Sequence, residues 1–116
     1  MAKYLVLIYD DEQQLAGADP SIIEANHERH VAFNRDNGAA VVGGAQLKGS
    51  ETATSIRTRP DGTVTVTDGV FAETKEVLGG YYVIDAPDYD AALALAKQVP
   101  AVFGGVEVRP IIDPGA

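Results

Sequence analysis

The sequence predicts an α+β fold: one antiparallel sheet with two helices on a single face. Three observations lead there. Short runs of strand composition recur along the chain. Two helical patterns, each opened by an aspartate, separate the outer runs. Between those helices the strand-like runs follow one another directly, divided by turn residues.

Lys3 to Tyr9 (Lys-Tyr-Leu-Val-Leu-Ile-Tyr) is almost wholly apolar and rich in strand formers, as in a strand covered on both faces. Asp10-Asp11-Glu12 ends it with charge. Asp19-Pro20 opens a helix, with Asp19 as N-cap and Pro20 in the first turn, where its missing N–H costs nothing. The helix runs to about Asn37, with Gly38 as its stop. Ala39 to Leu47 is a second strand, and its Gly43-Gly44 pair signals a bulge or a close approach.

Thr52 to Arg59 and Thr63 to Thr67 alternate about Pro60-Asp61-Gly62, a hairpin turn. Asp68 to Glu76 follows as a loop, closed by a Gly79-Gly80 break. Gly80 to Asp85 is the next strand. Asp88 caps a second helix reaching Gln98, with Tyr89, Ala92, Leu93 and Ala96 on one face. Gly105 precedes a last strand, Val106 to Ile112, and Asp113 to Ala116 forms a loose tail. The order is β-α-β-β-β-β-α-β. With the middle hairpin taken as an insertion, two β-α-β halves share one sheet in a ferredoxin-like sandwich. Two helices cover one face of such a sheet, yet the first strand is apolar on both. A homodimer with sheets packed face to face is therefore expected.

At 116 residues the chain suits a single domain, residues 1–116. Its formal net charge of −8 disfavours nucleic acid and anionic membranes as partners. It has no cysteine, which excludes disulfides, thiolate nucleophiles and Cys-based metal sites. No apolar stretch is long enough to cross a bilayer, and no signal peptide opens the chain, so a cytoplasmic location is expected.

On a helical wheel of 100° per residue, Ile23, His27, His30, Asn34 and Asn37 form one stripe, and Glu24, Glu28, Arg35 and Asp36 lie away from it. The histidine stripe should face the sheet. Imidazoles and carboxamides there need hydrogen-bond partners, and a partly hydrated cavity provides them. Histidine moves protons near neutral pH, so His30 is the acid–base candidate. His27 and His30 can share a metal, with Asp68 or Glu73 as a third ligand, but the ligand motif is incomplete and no metal is expected.

The loop Asp68-Gly69-Val70-Phe71-Ala72-Glu73-Thr74-Lys75-Glu76 resembles the DGPF motif of the YCII-related proteins, with Val70 in place of the motif proline. Lys3 to Tyr9, Asp85 to Ala96 and Val108-Arg109-Pro110 resemble that family's opening strand, second helix and closing strand. The resemblance implies a dimeric α+β barrel. It also implies a catalytic histidine–aspartate pair, which falls here on His30 and Asp68. One branch of the family dehydrochlorinates a chlorinated hydroxymuconate-type acid, and other relatives accompany sigma factors.

A carboxylate bonded to one ring nitrogen fixes the tautomer, and the other nitrogen then moves a proton beside a carbonyl. The expectation is a cofactor-independent lyase or isomerase acting on a small carboxylic acid. His27, Asn34, Phe71, Tyr82 and Arg57 are the candidates for contact with it. The competing expectation is a non-enzymatic ligand-binding or regulatory module tied to transcription control.

Overall fold

The computed structural model describes residues 1–72 and 74–113. Glu73, the alternative metal ligand, and residues 114–116 of the expected tail lie outside the described residues. Four strands form one antiparallel sheet in the order β2-β5-β1-β6: β1 is Ala2–Asp11, β2 Val41–Gln46, β5 Glu76–Ala86 and β6 Gly104–Pro110. With the inserted hairpin set aside, this is the ferredoxin-like arrangement. The hairpin, β3 (Thr54–Thr58) and β4 (Val64–Asp68), is a separate two-stranded sheet.

Helix α2, Pro20–Asp36, starts where the sequence places it. Asp19 accepts from the Ser21 N–H at 2.9 Å, and these bonds hold its carboxyl below the usual range. Helix α3, Tyr89–Ala96, is capped by Asp88, which accepts from the Ala91 N–H at 2.8 Å. Phe33 of α2 and Ala92 and Ala96 of α3 bury against Tyr4, Val6, Ile8 and Ile84 of the sheet. Burying one aliphatic side chain contributes about 1.5–3 kcal/mol, so these contacts fix the layers.

Several boundaries differ from expectation. β1 does not stop before Asp10 and Asp11. They are its last two residues and both are buried. Asp11 instead caps an unexpected short helix, α1 (Glu12–Ala16), accepting from the Gln13 and Gln14 N–H groups at 3.0 and 3.1 Å. A 3-10 turn, Ser50–Thr52, was also not expected. Gly79-Gly80 is not a break. Both residues lie inside β5, which begins at Glu76. Ile8 pairs with Gly80 and Tyr9 with Leu78, so Gly79 is the extra residue of a bulge. In β2 the extra residue is Val42, and Gly44 runs so close to β5 that a Cβ would meet the Tyr81 carbonyl oxygen at 2.7 Å. Helix α3 stops two residues short of Gln98, and β6 ends at Pro110 rather than Ile112.

In the single chain β1 is covered on one face only. Tyr4, Val6 and Ile8 are buried under the helices, and Leu5, Leu7 and Tyr9 are half-buried on the other side. Strand pairing sets Tyr81 and Val83 beside Leu7 and Leu5 on that bare face. The chain is flat, 46 × 46 × 17 Å, with a radius of gyration of 16.3 Å, where a compact chain of its length has about 13 Å. It exposes 7986 Å², against about 6,100 Å² for a compact monomer of its mass.

Candidate functional site

A cavity of 1440 Å³ opens between α2 and the β2 side of the sheet. Its chemistry centres on β1, β5 and α2. Tyr82 of β5 points to the helix face because it pairs with Val6 and lies two residues from buried Ile84. Its ring packs on Phe33, with centroids 5.0 Å apart. That contact brings the hydroxyl to His30, whose Nδ1 lies 2.8 Å from it. Asn34, one turn beyond His30, donates from Nδ2 to the Tyr82 oxygen at 3.1 Å and to the His30 carbonyl at 2.8 Å.

The buried face of α2 is rotated from the expected stripe. Phe33 is its one fully buried residue, with Asn26, His30 and Asn37 half-buried beside it; His27 and Asn34 are exposed. The apolar anchor at Phe33 sets the helix rotation, because a phenyl ring gains more from burial than imidazole or carboxamide. Asn37 donates to Gln98 at 3.0 Å and ties the end of α2 to the chain after α3. Asn26 lines the cavity, and its Oδ1 is buried without a partner among the described residues.

His30 is half-buried, and its pKa is pushed below the usual imidazole value. Burial is the largest cause, and His27 adds a small push the same way; the Asp10 carboxylate and the Pro100 backbone oppose them. Burial likewise raises the Tyr82 phenol, against the Asn34 hydrogen bond.

Hydrogens can be assigned from the partners. The Asn34 N–H fills an acceptor site of the phenol. Among the described residues Nδ1 of His30 is the acceptor within reach of the Tyr82 O–H, which leaves the hydrogen of the neutral ring on the other nitrogen. Nδ1 of the neutral ring then accepts from the Tyr82 O–H. The result is a chain from Asn34 through Tyr82 to His30.

In the single chain the carboxylate that raises the His30 pKa is Asp10, a residue the sequence reading did not single out. It is 9% exposed, and its Oδ1 accepts from the Phe103 N–H at 2.8 Å. The available signal was the alternation of β1, since Asp10 continues the buried series Tyr4, Val6, Ile8.

The sequence candidates fall into two groups. His27, His30, Asn34 and Tyr82 line the cavity. Asp68, Phe71 and Arg57 do not; they sit on the β3–β4 hairpin and the loop after it. Asp68 ends β4 exposed, opposite Thr54. The Arg57 guanidinium stacks on the Phe71 ring at 4.4 Å. Ser55, which is buried, donates to the Gly69 carbonyl at 2.6 Å. In the single chain the signature loop therefore braces the hairpin rather than the cavity. Glu12 connects the two regions: it lines the cavity and accepts from the Ser50 N–H at 2.9 Å and from the Ser50 hydroxyl. Among the described residues no three His, Asp or Glu side chains group as a metal ion requires.

A family model described as the YCII-related domain matches residues 2–114. The chain belongs to the YCII-related family. An uncharacterized protein of Rhizobium meliloti (strain 1021) is 40% identical over 70 residues, 58% of this chain and 56% of that relative. The chain thus matches a little over half the length of this relative. Among the described residues no helix is long and apolar enough to cross a membrane.

Proposed function

We propose that this YCII-related chain is a cofactor-independent acid–base enzyme of lyase or isomerase type acting on a small carboxylic acid. The observation that carries the reading is His30, kept neutral by burial, hydrogen-bonded to Tyr82 and facing the Asp10 charge in one cavity. A neutral imidazole accepts a proton, and a nearby carboxylate stabilises the imidazolium that forms. In the proposed step a C–H bond beside a carbonyl breaks, the electron pair moves onto the carbonyl oxygen, the proton passes to the Tyr82 oxygen, and the Tyr82 hydroxyl proton moves to His30 Nδ1. Return of that proton to another carbon gives an isomerase; departure of a leaving group gives a lyase. Lys48 and His27 on the cavity lining are suited to hold the substrate carboxylate. The bare sheet face with Leu5, Leu7, Tyr9, Tyr81 and Val83 supports a homodimer through that surface.

The test is exchange of carbon-bound hydrogen in D2O, followed by proton NMR on a panel of enolisable 2-oxo acids that includes oxaloacetate. Wild type should accelerate exchange on at least one member, and His30→Ala should abolish it with the fold retained. A panel unchanged by wild type, with binding that survives His30→Ala, would favour the competing reading of a ligand-binding or regulatory module.

A further inference from the structure

Among the described residues the β3–β4 hairpin has no substantial packing on the body of its own chain. Its strands contact each other, and only the 3-10 turn at its root touches β5 to any extent. The bonds at its root, Gly69 N–H to the Ala53 carbonyl at 2.7 Å and Leu47 N–H to the Gly79 carbonyl at 2.9 Å, fix where it leaves the body. A lone two-stranded hairpin is marginal in water, so this one needs a second layer.

One face has part of such a layer. Ser55, Arg57, Thr65 and Thr67 share it, and the signature loop folds back there through the Ser55–Gly69 bond and the Arg57–Phe71 stack. The other face has none. Register places Ile56 opposite Val66 and Thr58 opposite Val64. Ile56, Val64 and Val66 are 57%, 57% and 64% exposed. A braced hairpin with one bare, β-branched face is built to be covered.

We infer that the cover is a second copy of this chain: the hairpin is an arm that docks its Ile56–Val64–Val66 face on the partner protomer. Area supports that occupant. The 7986 Å² exposed exceeds the compact-monomer value by about 1,900 Å². Obligate homodimers bury roughly 1,000–2,500 Å² per partner, so the excess is of the size such an interface removes. The inference extends the proposed sheet-to-sheet dimer by a separate contact, and it is independent of the acid–base chemistry.

The experiment uses an equal mixture of carbon-13-labelled and unlabelled wild-type chains, unfolded together and refolded, in an isotope-filtered NOE measurement. Intermolecular NOEs from the Ile56, Val64 and Val66 methyls to unlabelled protons are expected. Sedimentation of the wild type and of an I56D/V66D variant accompanies it, with the variant's far-UV circular dichroism as the fold check. The variant should shift toward monomer, or form a dimer at least tenfold weaker, with its fold retained. A stable wild-type dimer lacking those NOEs would overturn the arm inference and leave the sheet-to-sheet dimer standing. A monomeric wild type would overturn both. Exchange activity on the acid panel is read separately, and its failure bears on the chemistry alone.

Discussion

Nδ1 of His30 lies 2.8 Å from the Tyr82 hydroxyl, a bond joining the middle of α2 to the centre of β5 across 52 positions of sequence. Tyr82→Phe removes that bond and the acceptor for Asn34 but keeps the ring on Phe33. The expected loss is about 1 kcal/mol for partly buried hydrogen bonds, read as a lower urea midpoint. Nitrogen-15 shifts of His30 should also move from a dominant Nε2–H tautomer toward a mixture.

Asp10 and Asp68 should separate cleanly in a histidine titration. The Asp10 charge favours the His30 imidazolium, so Asp10→Asn lowers the His30 pKa further. The amide oxygen can still accept from Phe103, which keeps the loop in place. Asp68→Asn leaves the His30 curve unchanged, because Asp68 does not line the cavity of its own chain. An NMR pH titration of the two imidazoles in both variants checks this, and a curve that follows Asp68 instead would sink the assignment to Asp10.

Stability should fall as the medium becomes mildly acidic. The folded His30 pKa lies below the unfolded value of about 6.5, so between the two the unfolded chain binds more protons. Stability therefore rises with pH across that window and is lost as pH falls from about 6.5 toward the folded pKa. Urea midpoints at pH 7.5 and 5.5, in wild type and His30→Gln, isolate the effect; the variant should lose that part of the slope.

Gly104→Ala tests the junction of β1 and β6. A Cβ there would lie 2.0 Å from the Tyr9 carbonyl oxygen, on backbone that pairs with both neighbours. Overpacking of this kind costs about 1–3 kcal/mol. A thermal melt should show the loss, whereas Gly105→Ala, with open space around its Cβ position, should not.

Much of the fold was legible because local chemistry punctuates it. Asp19-Pro20 and Asp88 opened the helices where capping predicts, and Pro60-Asp61-Gly62 marked the hairpin turn. The site was less legible for two physical reasons. Charge at Asp10 and Asp11 looked like a strand end, although alternation carried Asp10 onto the buried face and Asp11 turned to capping α1. A wheel drawn for the imidazoles gave the helix the wrong rotation, because the single phenyl of Phe33 outweighs them. The separation of the signature loop from the cavity was not readable at all, since spacing along a chain says nothing of where a hairpin leaves the body.

The bulge at Gly79 decides on which side of β5 each end of the strand presents its side chains. Val77, an odd position, shares the cavity side with Tyr82, an even one, because a single uncounted residue lies between them. Taking Gly79 into the ladder as the partner of Tyr9 would reverse that parity. Val77 would swing to the bare face and Leu78 to the cavity, and the signature loop would enter the sheet turned half over. One residue left out of the ladder in a glycine pair thus sets how the arm is aimed against the cavity without altering any side chain in either.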